Sequence, residues 1–115
     1  MNFIIKLFLS AISIVIGAYL LPGVTISGFW SAIVVAALLS LLNVTVKPLL
    51  IIFTIPLTVL TLGLFLIVIN VLMILLADSI VDGFIVRNFW WALGFSIILS
   101  ILNSLFEDLI GEKSS

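Results

Sequence analysis

The sequence predicts an all-α integral membrane protein with four transmembrane helices, arranged as two tandem hairpins in a parallel repeat. Of its 115 residues, 65% are hydrophobic and 8% are charged, and the mean hydropathy is +1.61. Soluble domains are about 45–50% apolar and about 25% charged. Because a folded chain of this size cannot bury so much apolar surface, lipid is the expected solvent. The composition excludes a soluble enzyme, a nucleic-acid-binding protein and a disordered tail.

Four apolar stretches approach the roughly 20 residues that a helix needs to cross a hydrocarbon core about 30 Å thick. The predicted spans are 2–21, 30–46, about 60–81 and 89–106. Pro48 and Pro56 interrupt the chain between the second and third spans, which we interpret as either a helix extension or a short surface segment. The single membrane domain, 1–115, then comprises repeat 1 (about 1–46), this linker (about 47–59), repeat 2 (about 60–106) and a polar tail (107–115).

The first span also resembles a signal peptide, since Lys6 precedes an apolar run of suitable length. The small-residue cleavage pattern before Pro22 is poor, which favours a permanent helix.

The distribution of positive charges predicts the orientation, because lysine and arginine are enriched in cytoplasmic loops. With four spans, Lys6, Lys47 and Lys113 lie on one side and only Arg87 lies on the other. Both termini are therefore predicted to be cytoplasmic.

An internal repeat relates residues 22–43 to residues 82–103, sixty positions later, without a gap. The eight identical pairs are Gly23/Gly83, Phe29/Phe89, Trp30/Trp90, Ala32/Ala92, Leu39/Leu99, Ser40/Ser100, Leu42/Leu102 and Asn43/Asn103. Each unit holds two spans, so both units enter the membrane from the same side. A parallel repeat of this kind has its pseudo-two-fold axis along the membrane normal.

Aromatic residues mark one membrane interface in this topology. Tryptophan rings prefer the level of the lipid headgroups, and all three tryptophans of the chain follow the two predicted outer loops. The predicted outer belt consists of Phe29, Trp30, Phe89, Trp90 and Trp91.

Polar and small residues recur at helical spacing along the spans. The second and fourth spans carry equivalent stripes, and the first carries a shorter one. These stripes are Ala32, Ala36, Ser40, Asn43 and Lys47; Ala92, Ser96, Ser100, Asn103 and Glu107; and Lys6, Ser10, Ser13 and Gly17. Asn70 lies near the middle of the third span, where an amide without a partner is costly.

Two interpretations of the stripes remain open. Small and polar residues commonly form tight helix contacts, so we favour packing seams, with Asn43 and Asn103 buried. Pairing of the second and fourth spans would then bring Lys47 beside Glu107. The alternative is a polar lining for a pore or solute path, with candidate residues Ser40, Asn43, Lys47, Asn70, Ser100, Asn103 and Glu107.

The chain contains no cysteine and no histidine. Thiolate nucleophiles, disulfides and the usual zinc or transition-metal sites are therefore absent. Asp78 and Asp82 flank the outer end of the third span, where paired carboxylates are most often solvated. No nucleophile has a base beside it. We predict a protein that is not an enzyme and has no cofactor, no metal and no nucleic-acid partner.

The central sequence is more distinctive than its composition. Three segments hold the distinctive residues: Asn43-Val44-Thr45-Val46-Lys47-Pro48-Leu49-Leu50, Thr54-Ile55-Pro56-Leu57-Thr58-Val59-Leu60-Thr61-Leu62-Gly63-Leu64-Phe65 and Val68-Ile69-Asn70. They resemble the YvlD family of small bacterial membrane proteins, also labelled the mycobacterial four-transmembrane phage holin-like family. The family pattern has arginine at the position of Lys47. Within this block, Thr54, Thr58 and Thr61 are expected to bond backbone groups left free at a tight turn.

The resemblance implies a protein of the bacterial cytoplasmic (inner) membrane, surrounded by lipid. Holins oligomerise in that membrane and open it for lysis, but no catalytic or ligand-binding residue is carried over. The leading hypothesis is a self-associating, non-enzymatic protein of largely uncharacterised role, a homo-oligomer with other membrane proteins as possible partners. The alternatives are a holin-like oligomeric pore and a transporter for a small solute or ion.

Overall fold

The computed structural model describes residues 3–114, with side chains described for residues 3–109. The elements in chain order are α1 (Phe3–Leu20), β1 (Val24–Ile26), α2 (Phe29–Phe53), α3 (Ile55–Leu60), α4 (Phe65–Ile80), β2 (Phe84–Val86) and α5 (Phe89–Ser114). The protein is mainly helical, as the sequence predicts. The first residue of the predicted first span and the last residue of the predicted tail lie outside the described part.

Three helices of the described chain, α1, α2 and α5, are long and apolar enough to cross a membrane. They correspond to the first, second and fourth predicted spans. Helix α2 continues through Pro48 to Phe53, so the first part of the 47–59 linker extends a helix and its second part belongs to α3. The predicted polar tail is helical as far as Ser114 and continues α5.

The helix of the third predicted span begins five residues later than expected, at Phe65. Helix α3 ends in a Schellman motif, in which Gly63 N–H donates to the Thr58 carbonyl at 2.8 Å. Leu62 N–H donates to the Val59 carbonyl at 3.1 Å. Leu62 and Gly63 have φ of 56° and 88°, which a right-handed helix cannot continue through. Helix α4 therefore has 16 residues, a length of about 24 Å.

The four long helices form a ring. Helices α1 and α4 each pack against α2 and α5, whereas the backbones of the pairs α1/α4 and α2/α5 lie apart across the ring in the described chain. The expected direct pairing of the second and fourth spans is therefore wrong. Helices α1 and α4 present small buried residues, Ala11, Gly17 and Ala77, which allow neighbouring helices to approach closely.

The prediction of an all-α protein missed a pair of short strands. Strands β1 and β2 are antiparallel, with Thr25 opposite Ile85 at the centre of the register. Ser27 N–H donates to the Gly83 carbonyl at 2.8 Å, and Arg87 N–H donates to the Gly23 carbonyl at 2.9 Å. Three-residue strands are too short to produce a periodic signal, and the pairing joins loops sixty residues apart. The strands tie the two outer loops together.

The buried core fills the ring beside these strands. Ala32, Val35, Ala92 and Phe95 lie in the first two turns of α2 and α5, and each is fully buried. The ring of Phe84, on β2, lies 5.6 Å from that of Phe95 between centroids. The bundle is therefore closed by close-packed side chains at this end.

The two ends of the ring differ in the residues that they carry. We call the end beside the strands the tryptophan end, because Trp30 and Trp90 lie in the first turns of α2 and α5 there. The opposite end is the lysine end, which holds Lys6 and Lys47. The side chain of Lys113, predicted for the same side, lies outside the described side chains.

Candidate functional site

A cavity of about 740 Å³ occupies the middle of the ring toward the lysine end. All four long helices line it. The lining comprises Phe3, Lys6, Ser10 and Ile14 of α1; Ala36, Ala37, Leu39, Ser40, Leu41, Asn43, Val44 and Lys47 of α2; Asn70, Met73 and Ile74 of α4; and Ser96, Leu99, Ser100, Asn103 and Glu107 of α5. Its volume is within the range of small-molecule sites.

The cavity brings together every polar residue proposed from the sequence for a seam or lining. They are Ser40, Asn43, Lys47, Asn70, Ser100, Asn103 and Glu107. Lys6, Ser10 and Ser96 join them, although they were not among the proposed site residues. Their stripe positions at helical spacing were the available signal.

Each stripe of small and polar residues has a buried part toward the tryptophan end and a more exposed part beside the cavity. Toward the tryptophan end, Ala32 and Ala92 are fully buried, as expected for a packing seam. Toward the lysine end, Asn43 is exposed and Asn103 is half-buried. The expected burial of both asparagines is therefore wrong for Asn43 and only partial for Asn103. The reason is that no buried aromatic side chain fills the ring at that depth among the described residues, so the polar faces of α2 and α5 border the cavity.

The serines of the stripes that form hydrogen bonds donate to backbone carbonyls of their own helices. The Ser40 hydroxyl donates to the Ala36 carbonyl at 2.9 Å, and the Ser13 hydroxyl to the Leu9 carbonyl at 3.0 Å. Among residues 3–109, no side-chain hydrogen bond joins two helices across the cavity. Asn70 and Asn103 therefore have amide groups free to contact water or a ligand within the described structure.

Lys47 and Glu107 line the same cavity but form no ion pair there within the described side chains. They lie on α2 and α5, which face each other across the ring. The expected direct coupling of the two charges is not present at contact distance. The cavity is therefore bordered by separated charges rather than closed by a salt bridge.

Each of the four long helices contributes a buried residue to the lining of the cavity. Ile14, Ala36, Ile74 and Ser96 are 1%, 2%, 4% and 5% exposed. Within the described chain, the Ser96 hydroxyl has no hydrogen-bond partner, in contrast to the hydroxyl of Ser40. Because this hydroxyl is not sealed from the cavity, Ser96 offers a donor and an acceptor to whatever the cavity holds.

The predicted aromatic belt lies at the tryptophan end, remote from the cavity. Trp30 and Trp90 are 76% and 73% exposed, which suits headgroup contact. Phe29 is exposed, and Phe89 makes an edge-to-face contact with Trp90 at 5.6 Å. Trp91 differs, since its indole lies over the backbone of Gly23.

The threonines of the central block have different partners. The Thr54 hydroxyl donates to the Leu50 carbonyl at 2.6 Å, and the Thr61 hydroxyl accepts from Phe65 N–H at 3.1 Å. Both therefore bond backbone groups at the helix ends, as expected. The buried hydroxyl of Thr58 has no partner within the described structure.

No group of three metal-ligating side chains occurs in the part of the chain that the structure describes. The site consists instead of neutral amides, hydroxyls and three charges in a bundle of apolar helices. Polar side chains inside a membrane commonly mark solute or ion sites.

Comparison with known proteins assigns the family. Residues 1–105 match the family model described as mycobacterial 4 TMS phage holin, superfamily IV. The chain belongs to this family. The four-span description of the holin family fits the three long apolar helices together with the shorter α4.

Two relatives of the holin-family chain extend over nearly its whole length. The uncharacterized membrane protein YvlD of Bacillus subtilis is 43% identical over 105 residues, which cover 84% of this chain and 88% of YvlD. An uncharacterized protein of Streptomyces coelicolor is 37% identical over 112 residues, covering 89% and 90% of the two chains. No solved structure gives a significant match.

Proposed function

We propose that this chain is a non-enzymatic protein of the bacterial cytoplasmic membrane that binds a small polar or charged solute in a cavity open to the cytoplasm. The observation that carries the proposal is the convergence of unpaired polar groups on one cavity. Asn70, Ser96 and Asn103 come from two helices and have no side-chain partners in the described structure. The excess of lysine at the open end supports cytoplasmic termini.

The closed tryptophan end favours a one-sided cavity over a channel through a single chain. Phe84, Phe95, Val35, Ala32 and Ala92 fill the ring beside the strands. Interiors packed in this way leave no continuous path for water. Solute would therefore enter and leave at the lysine end.

Cysteine accessibility tests the proposal, and the native chain offers a cysteine-free background. Ser100→Cys lines the cavity, whereas Ile101→Cys sits at the same depth on an exposed face outside it. We expect a membrane-impermeant thiol reagent to label Ser100→Cys at least about tenfold faster than Ile101→Cys, because thiolate forms in water and not in lipid. Labelling is expected in inverted vesicles and not in right-side-out vesicles.

Each other pattern of labelling excludes a different part of the proposal. Equal, slow labelling of both variants would contradict an open cavity and favour sealed seams. Labelling of Ser100→Cys from both sides would contradict the closed tryptophan end. Labelling only in right-side-out vesicles would show that the lysine end faces the outside and not the cytoplasm.

A holin-like oligomeric pore is the second candidate function. It is supported by the family description and by the exposed Asn43 and Ser100, because exposed polar groups at membrane depth favour association with a neighbouring copy. In this case induced expression would collapse the membrane potential, whereas an unrelated four-span protein at equal level would not. A steady potential at high expression would exclude the pore.

We also propose that the fold arose as two fused hairpins. The burial pattern of residues 11–20 recurs without a difference in residues 71–80, where sequence similarity fades. The strand register is centred on Thr25 and Ile85, which are sixty residues apart. The flanking bonds of Gly23 and Gly83 are also equivalent. These relations support a pseudo-two-fold axis through the strand pair and the cavity.

A further inference from the structure

The cavity reaches the outer surface of the bundle beside α1 and α2. Its lining includes Phe3, Leu41 and Val44, whose side chains are 62%, 56% and 71% exposed. In a membrane, exposed apolar side chains of this kind contact lipid. The lining residues of α5 include no comparable group of exposed apolar side chains. The cavity therefore opens sideways to the bilayer on the side of α1 and α2.

Lysines flank this lateral opening. Lys6 lies one helical turn after Phe3, and Lys47 lies one turn after Val44, so each lysine shares a helix face with an apolar residue of the opening. Glu107 borders a smaller recess together with Lys6. Lys47 does not line that recess, and among the described side chains no carboxylate of the main cavity, Glu107 included, lies within ion-pair distance of it.

Hydrogen-bond donors continue inward from the lysines. The amides of Asn70 and Asn103 and the hydroxyl of Ser96 all belong to residues that line the cavity, and none has a side-chain partner in residues 3–109. A ligand that matches this order has an anionic oxygen group near Lys47, hydroxyls or ester oxygens deeper inside, and an apolar part that leaves sideways.

We propose that the cavity binds the headgroup of an anionic phospholipid, with its phosphate at Lys47 and its acyl chains against Leu41 and Val44. Basic pockets between transmembrane helices on the cytoplasmic side bind such headgroups. The inference rests on the proposed function, because it needs the cavity to be open and hydrated. The ligand of the proposed function is then a phospholipid of the surrounding bilayer, bound through its headgroup.

Native mass spectrometry of the full chain in a neutral detergent tests this inference. We expect phosphatidylglycerol to bind at least about fivefold more tightly than phosphatidylcholine with the same acyl chains. Lys47→Gln should lower the phosphatidylglycerol affinity about fivefold, the factor typical for one lysine near a membrane surface. Arg87→Gln removes the same charge at the tryptophan end and should change nothing. Lys47→Arg should retain binding, which separates charge from folding.

Three outcomes would overturn the inference. The first is equal binding of the two lipids, and the second is an equal loss in Lys47→Gln and Arg87→Gln. The third is displacement of phosphatidylglycerol by millimolar inorganic phosphate, which would identify free phosphate as the occupant. Reactive Ser100→Cys without a lipid preference would overturn this inference alone, whereas unreactive Ser100→Cys would overturn the proposed function as well.

Discussion

At the scale of single residues, two helical glycines have opposite surroundings. A methyl group added to Gly17 on α1 would lie 2.7 Å from the Phe95 ring, whereas one added to Gly94 on α5 would have its nearest neighbour, Leu21, at 3.7 Å. The first distance is an overlap and the second is an ordinary contact. Phe95 is fully buried and packed against Phe84, so it cannot move aside.

Gly17→Ala is therefore expected to lower the free energy of unfolding by about 1–3 kcal/mol, the usual cost of overpacking a core. Gly94→Ala should raise it by up to about 1 kcal/mol, because alanine is the better helix former. Thermal unfolding in detergent measures both. Since the two substitutions are chemically identical, equal effects would contradict the close packing of α1 against α5.

At the scale of elements, the link between α2 and α4 carries backbone strain. Leu62 adopts a left-handed φ although it is not glycine, which costs about 1–2 kcal/mol. Its side chain is 93% exposed, so no packing compensates within the chain. Gly63 has the same need for left-handed backbone and meets it without cost.

Leu62→Gly and Gly63→Ala should therefore change the stability of α3 in opposite directions. We expect slower amide hydrogen exchange over residues 58–65 in Leu62→Gly and faster exchange in Gly63→Ala, by about five- to tenfold each. Exchange in α1 should stay unchanged in both variants and is the internal control. The same direction of change in both would exclude the Schellman motif as the reason why α4 starts at Phe65.

At the scale of the whole molecule, the strand pair joins the two halves of the chain. Thr25 and Ile85 are exposed and lie opposite each other in the register. Directly paired residues in antiparallel strands have Cα atoms about 5.5 Å apart or closer, within reach of a disulfide. The pairing can therefore be trapped by two cysteines in an otherwise cysteine-free chain.

Oxidation of the Thr25→Cys, Ile85→Cys double variant should form a disulfide within one chain and raise the melting temperature. A loop of about 60 residues corresponds to roughly 4 kcal/mol in the chain-entropy model. Gel mobility with and without reductant measures the bond. The two single variants are the controls for links between chains. A double variant that forms only dimers would show that the strands pair between copies.

Periodicity predicted the helix faces well because it depends on local geometry alone. The positions of Ser40, Asn43 and Lys47 on one face of α2 follow from helical spacing, and they line one cavity together. The start of α4 was missed because Leu62 has no local preference for left-handed backbone. The strands were missed because their partners lie sixty residues apart.

The sequence by itself determined that this chain is a helical membrane protein and which side chains share a helix face, since composition and spacing are sufficient for both. Only the tertiary structure decided that the polar faces border an open cavity instead of closing on each other. The physical reason lies in the filling of the ring. At the tryptophan end Phe84 and Phe95 occupy the space between the helices. At the lysine end the described lining holds no buried aromatic side chain, and the polar faces of α2 and α5 border the cavity.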